Sequence, residues 1–268
     1  MKPNSIKALS IQISLSGLSF CILNRSTNTI EFLKTIYFEK KVTPFELLND
    51  LKHNIESNPD FEQDFDTVLC IYQNELSCLV PKDLFNENNL ADYLKFNAKI
   101  LKTDFINYDT MPTNNSVNVY VPLVNINNYI FDVFGSFDYK HASTVLIETL
   151  SQLTPKGTSV FHVNVNASTF EIIYINDSKL EFYNTFEFIT KEDFIYYILF
   201  TFEQLKLNPE TIKVVLSGLI TKESEPYEML YKYVRHVAFT KPKYSYNFKT
   251  TRVENQEHSD FVLLNSFN

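Results

Sequence analysis

Three short stretches of this chain carry residue types that could meet a small polar ligand, two of them with groups that bind phosphate, each where a strand-like run ends. Ser14-Leu15-Ser16-Gly17 and Asn166-Ala167-Ser168-Thr169 each join two largely apolar runs, and Leu216-Ser217-Gly218-Leu219 closes a third. Hydroxyls, carboxamides and a glycine that lets backbone N–H groups approach closely are the groups by which a strand-end turn cradles phosphate. Ser14, Ser16, Gly17, Asn166, Ser168, Ser217 and Gly218 supply groups of these types. No carboxylate stands in either turn. Hydrolysis of a nucleoside triphosphate needs a side chain to place Mg²⁺ and orient the attacking water. With only 4 Gly in 268 residues, the chain is also poorly supplied for phosphate loops. Ordinary hairpin-turn chemistry accounts for Ser, Asn and Gly at these places.

Other chemistries find less support. Two-metal nuclease chemistry needs carboxylates that converge on neighbouring strands. The first run offers only Ser10 and Gln12, and Asp66 and Glu75 bound the fourth run at opposite ends. The five His (His53, His141, His162, His236 and His258) lack metal-ligand spacing, as do Cys21, Cys70 and Cys78. His141 beside Ser143 invites an acid–base reading, against that of a satisfied strand-end histidine. Glu192-Asp193 heads a helical pattern, where carboxylates complement the dipole. No catalytic and no metal-ligating residue is therefore assigned. The formal net charge of −8 argues against nucleic acid or an anionic membrane as partner. Lys241, Lys243, Lys249 and Arg252 are interrupted by Glu254 and Glu257 and read as solvated surface. The longest apolar stretch, Phe194 to Phe202, falls far short of the ~20 residues of a membrane helix. Met1 to Ser5 carries no signal-peptide core. A cytoplasmic protein with buried free thiols at Cys21 and Cys70 is the expectation. Aromatic content is 15%, with 24 Phe and 16 Tyr. Tyr196-Tyr197 and the set Tyr227, Tyr231, Tyr233, Tyr244 and Tyr246 could serve a protein partner or simply pack the core.

The elements that must position these residues repeat. Leu9 to Ile13, Leu18 to Leu23 and Ile30 to Phe38 read as a β-meander. A helix follows, opened by Thr43-Pro44-Phe45-Glu46, a capping box with Pro at its first position. Thr67 to Tyr72 is a nearly continuous apolar strand. The same plan recurs in Val160 to Val165, Phe170 to Ile175 and the run after Ser178. A helix over Glu192–Leu205 follows, opened by Thr190 and Asp193, then a strand over Ile212–Leu216 and a helix over Pro226–Val234. The Glu192–Leu205 helix is apolar nearly all round, so it is expected to be covered on more than one side. Val117–Pro122 is expected as a strand, with helices over Asn127–Phe134 and Ser143–Leu153. The tail Lys241–Asp260 reads as surface loop, closed by a short helix over Phe261–Phe267. Pro155-Lys156-Gly157 breaks the chain between the copies, giving an N-terminal lobe 1–156 and a C-terminal lobe 157–268.

Within the copies, Thr29-Ile30-Glu31-Phe32-Leu33-Lys34-Thr35-Ile36-Tyr37-Phe38 aligns with Lys179-Leu180-Glu181-Phe182-Tyr183-Asn184-Thr185-Phe186-Glu187-Phe188, sharing Glu, Phe, Thr and Phe. A duplicated α/β unit of this order suggests a two-lobed actin-like ATPase fold of ribonuclease H-like lobes, each with a meander, helices and a mixed sheet. Tyr183-Asn184-Thr185-Phe186, Glu192 to Leu199 and Glu203-Gln204-Leu205 resemble the hallmark of an uncharacterised bacterial family, found mainly in Bacteroidetes, with that fold. The resemblance implies fold and lineage and brings no catalytic residues. A looser, architectural similarity links the chain to actin-like proteins of pilus and secretion machines that act as docking platforms. The resemblance to the actin-like fold implies that the two first-hairpin turns meet phosphate and the end of the second lobe's buried strand meets adenine, which makes Ser14, Ser16, Gly17, Asn166, Ser168, Ser217 and Gly218 the candidate nucleotide-binding residues; that adenine side takes a Gly pair, and here bulky Leu219 follows Gly218. The resulting expectation is a non-catalytic scaffold with degenerate loops, a protein partner and no cofactor. The alternative is weak ATP–Mg binding or slow hydrolysis in the inter-lobe cleft.

Overall fold

A computed structural model describes residues 6–96, 98–249 and 257–267. The chain divides into two compact lobes. The first comprises Met1–Leu146, Tyr244–Thr251 and Val262–Asn268, and the second Ile147–Lys243 and Arg252–Phe261.

In the first lobe, β1 (Lys7–Ser14), β2 (Gly17–Asn24) and β3 (Thr29–Tyr37) form the meander, followed by α1 (Pro44–Glu56) and β4 (Thr67–Tyr72). Next come β5 (Ser77–Pro81), α2 (Leu90–Leu94), β6 (Asn107–Met111) and β7 (Ser116–Tyr120), then α3 (Val124–Phe134), β8 (Asp138–His141) and α4 (Ala142–Leu153). The second lobe carries β9 (Ser159–Val165), β10 (Thr169–Asn176), β11 (Lys179–Glu187), α5 (Lys191–Gln204), β12 (Lys213–Gly218), α6 (Glu225–Tyr233) and β13 (His236–Phe239). The chain then supplies β14 (Asn247–Phe248) and α7 (Phe261–Asn265).

Among the described residues the main sheets run β14-β3-β2-β1-β4-β8 and β11-β10-β9-β12-β13. In each, the meander is antiparallel and the fourth strand joins the first in parallel. The duplication reaches local detail. The register slips between Ile22 and Leu23 opposite β3, and between Tyr174 and Ile175 opposite β11. Glu31 and Glu181 are the residues left over at these bulges, so the shared glutamate marks a matched irregularity. Both meander helices open with a complete capping box, Thr43 with Glu46 and Thr190 with Asp193. Leu47, Leu51 and Ile55 of α1 are buried at helical spacing, and Phe194, Ile198 and Phe202 of α5 occupy the same places. Phe32 and Phe38 pack against the first core, Phe182 and Phe188 against the second.

Three expectations need correction. α5 is buried on one face only: Tyr196 is 60% and Phe200 45% exposed. The first lobe also carries a small antiparallel sheet, β5-β7-β6, with its own core around Val80, Leu94, Val117 and Val119. Its short, mixed runs gave no clear period. Finally, the lobes are not the segments 1–156 and 157–268. The division falls within α4, because its first turns bond to β6 and β7 while Thr154, just past its end, bonds to His162. The tail returns to the first lobe, where β14 pairs with β3. Two bonds made by a two-residue strand leave no hydrophobic pattern to read. Of the basic tail, Arg252 and Glu254 lie outside the described residues, while Lys241, Lys243 and Lys249 are exposed.

Candidate functional site

The first hairpin turn is closed by its own groups. The Ser16 N–H donates to the Ser14 hydroxyl at 3.1 Å. The carbonyls of Leu15 and Ser16 accept from the Val42 and Phe38 N–H groups at 2.9 and 3.0 Å, tying the turn to the chain beyond β3. A side chain at Gly17 would collide with the Ile36 carbonyl oxygen, so the β2–β3 approach itself demands glycine there. Gln12, two residues before the turn, donates its amide to Gln73 at 2.6 Å.

The second turn is held similarly, through Asn166 N–H to Thr169 at 2.8 Å and Phe188 N–H to Ser168 at 3.1 Å. Its side chains join a buried polar chain. Ser217 donates to Asn164 at 2.8 Å, and the Asn164 and Asn166 amides both donate to one oxygen of Glu171, at 2.8 and 2.9 Å. Burial raises the Glu171 pKa, opposed in part by these two bonds. Gly218 has φ of +83°, and a side chain there would strike the Val165 backbone. That closeness is used: the Leu219 N–H donates to the Val165 carbonyl at 2.7 Å. Leu219 itself is exposed.

The structure thus gathers Ser14, Ser16 and Gly17 in one lobe and Asn166, Ser168, Ser217 and Gly218 in the other. The reading of the turns overlooked Glu171, which stands on β10 opposite Asn164. A lone carboxylate inside an apolar strand was the available signal.

A second buried polar group lies in the first lobe. Asp109 accepts from the Tyr120 hydroxyl at 3.1 Å, the Thr144 hydroxyl at 2.7 Å and the His141 N–H at 2.8 Å. His141 Nδ1 lies 2.7 Å from the Ser143 hydroxyl, and its Nε2 faces the Asn74 carbonyl at 3.1 Å. The Ser143 N–H donates to Nδ1, which makes Nε2 the protonated nitrogen. His141 and Ser143 are both buried at the β8–α4 junction, and no carboxylate orients the ring. Burial lowers the His141 pKa to about 4. The pair anchors the start of α4. Burial also lowers His162 to about 3.

Among the described residues, no three His, Cys, Asp or Glu side chains converge to hold a metal, and no helix is long and apolar enough to cross a membrane. Cys21 and Cys70 are buried. The tyrosine set divides. Tyr244 stacks on Tyr246, which meets Phe267, while Tyr227 stacks between Tyr231 and Phe239. Tyr231 and Tyr233 are exposed.

A family model described as a protein of unknown function, DUF3822, matches residues 2–237. The chain belongs to this family. The matched span includes both hairpins and Gly218. A solved protein of unknown function from Bacteroides thetaiotaomicron, with an actin-like ATPase fold, superposes with a TM-score of 0.78 at 21% identity. The match covers 88% of this chain and 91% of that one. The PilM–PilN type IV pilus biogenesis complex superposes with a TM-score of 0.61 at 12% identity, covering 96% of both chains. No curated protein sequence matches the chain. The family and these neighbours establish the actin-like ATPase fold for this chain.

Proposed function

We propose that this family member is a non-catalytic cytoplasmic binding or scaffold protein, which uses the actin-like fold to engage a protein partner and needs no cofactor. One observation carries the reading. The Ser14 hydroxyl and the Asn166 side-chain amide are engaged within their own lobes, and the two glycines serve close strand contacts. A phosphate would have to displace those bonds, and neither turn holds a carboxylate for a metal. The neighbour that works as a PilM–PilN complex gives a precedent for the fold in a protein assembly. Formal charge of −8 supports a partner other than nucleic acid.

The second reading, weak ATP–Mg binding with slow hydrolysis, has Glu171 in its favour. This carboxylate is one hydrogen bond from the turn residue Asn166. Calorimetric titration with Mg-ATP separates the two. The scaffold reading expects no saturable heat. Saturable binding that is lost in both Asn166→Ala and Glu171→Gln would overturn it and assign the second turn to nucleotide.

A further inference from the structure

One row of side chains crosses the second sheet on the face turned away from its core. Ser217 of β12, Asn164 of β9 and Glu171 of β10 stand side by side in register. Their neighbours along the strands, Val163, Val165, Phe170, Ile172 and Leu216, belong to the hydrophobic core of the lobe. Strand alternation therefore turns the row to the opposite face. The duplication supplies an internal control. The matching row of the first sheet is Ile71, Gln12 and Ser19. There Gln12 bonds to Gln73, and the Ser19 hydroxyl accepts from Thr35 at 3.1 Å. The fold thus builds this row without a carboxylate, so Glu171 is not owed to the architecture.

Glu171 is 4% exposed and lacks a cationic partner. Burial is the largest influence on its carboxyl, and among the described residues no lysine, arginine or histidine charge offsets it. A buried carboxylate is costly unless a cation pairs with it. The hydrogen bonds fix one of its oxygens only. The Ser217 hydroxyl holds Asn164, and the Asn164 and Asn166 amides both reach Oε2. Oε1 accepts no hydrogen bond, and neither does Asn166 Oδ1. Neither atom is sealed in. The buried side-chain atoms left without a partner lie elsewhere, Asn118 Oδ1 and His162 Nδ1 among them. Asn166, half-buried in the turn, leads from the surface to the carboxylate.

We infer that Glu171 Oε1 and the Asn166 carboxamide oxygen hold a monovalent alkali cation, potassium or sodium, at the second turn. The class of ion follows from the donors. Both are hard oxygens, with no thiolate or imidazole beside them, which suits alkali and alkaline-earth ions. A single carboxylate balances one positive charge, whereas a divalent ion would leave an excess in a buried place. Mg²⁺ also demands near-ideal octahedral geometry and several retained waters. The alkali ion neutralises Glu171 and braces the turn through Asn166. Such an ion is structural and takes part in no reaction, so the site stands apart from the scaffold reading.

The test melts the intact protein at pH 8, with EDTA and without nucleotide, in potassium, sodium or tetramethylammonium chloride at equal ionic strength. Tetramethylammonium is too large to reach a buried carboxylate. At ten times its dissociation constant, the ion that fits should raise the melting temperature by ~3–6 °C over tetramethylammonium, and the rise should saturate. Glu171→Gln, which keeps the shape of the side chain, is expected to lose the difference. Asn166→Ala, at the half-buried turn, is expected to move half-saturation to at least threefold higher salt. Crystals of the parent protein grown with thallium(I), which stands in for potassium, should show an anomalous peak beside Glu171 Oε1. Equal melting in the three salts, a difference retained in Glu171→Gln, stabilisation only when millimolar Mg²⁺ or Ca²⁺ replaces the EDTA, or thallium peaks only elsewhere would overturn the site. Equal melting would leave the scaffold reading standing, whereas saturable Mg-ATP binding would remove that reading whatever the salts do.

Discussion

Phe188 donates its backbone N–H to the carbonyl of Ser168 at 3.1 Å, and Phe38 makes the same bond to Ser16 at 3.0 Å in the other lobe. In both copies the residue after the third strand thus reaches back to fasten the tip of the first hairpin. That bond holds in place the turns where an actin-like protein would meet phosphate, and it ties the shared phenylalanines of the repeat to the geometry of the candidate site.

Nucleotide should leave the protein's stability unchanged. A ligand at a hundred times its dissociation constant stabilises a fold by ~2.7 kcal/mol. In a protein of this size that amounts to several degrees, at ~2–4 °C per kcal/mol. The expected melting curve is the same with and without millimolar Mg-ATP. A reproducible rise that disappears in Asn166→Ala would contradict the scaffold reading.

Gly218 should resist every substitution for a reason unrelated to ligands. Its φ of +83° strains any residue with a side chain, and the Val165 backbone occupies the space. Left-handed strain costs of order 1–3 kcal/mol, and overpacking typically a further ~1–3 kcal/mol. Gly218→Ala should therefore lower the urea midpoint substantially in the absence of nucleotide. A midpoint within error of the parent would show that the strand end is looser than described.

The two faces of α5 should respond differently. Phe194→Ala or Ile198→Ala removes a fully buried side chain and should cost about 2–5 kcal/mol. Tyr196→Ala, on the exposed face, should stay within about 0.5 kcal/mol. Denaturant unfolding of the three variants checks this, and equal losses in all three would place Tyr196 in the core.

Acid should destabilise the protein before most carboxylates titrate. His141 and His162 are held neutral by burial, with pKa values lowered to about 4 and about 3. Between those values and the ordinary ~6.5, the unfolded chain binds protons that the folded one refuses. Their contribution is fully present above pH ~6.5 and declines as pH falls towards 4. Glu171 and Asp109 act with the opposite sign, because burial raises both. Their contribution is present at low pH and is lost as pH rises through their folded values. Glu171→Gln should thus flatten the alkaline side of the profile, and His162→Gln the acid side. Melting temperatures from pH 4 to 8 read both slopes; parallel profiles for parent and variants would refute the assignment.

Much of the architecture was legible in the chain because it depends on local patterns. Period-2 alternation marked the meanders, and the capping boxes at Thr43 and Thr190 marked where α1 and α5 begin. The shared glutamate and phenylalanines disclosed the repeat, since a one-residue slip would turn each of them to the wrong face. Other features depend on partners distant in sequence, so no local pattern announced them. Glu171 became part of the second turn only when strand pairing set it against Asn164 and close to Asn166. Gly17 and Gly218 resembled phosphate-loop glycines until the Ile36 and Val165 backbones were found beside them. The Tyr196 face of α5 looked like core because composition records apolarity but not which neighbour covers it, and in this lobe the described chain leaves it open. The first lobe gained β14 from the far end of the chain, whereas among the described residues no strand continues the second sheet beyond β11. Tertiary pairing alone creates that difference between two otherwise matched copies, because a strand's edge is free or filled according to where the rest of the chain runs.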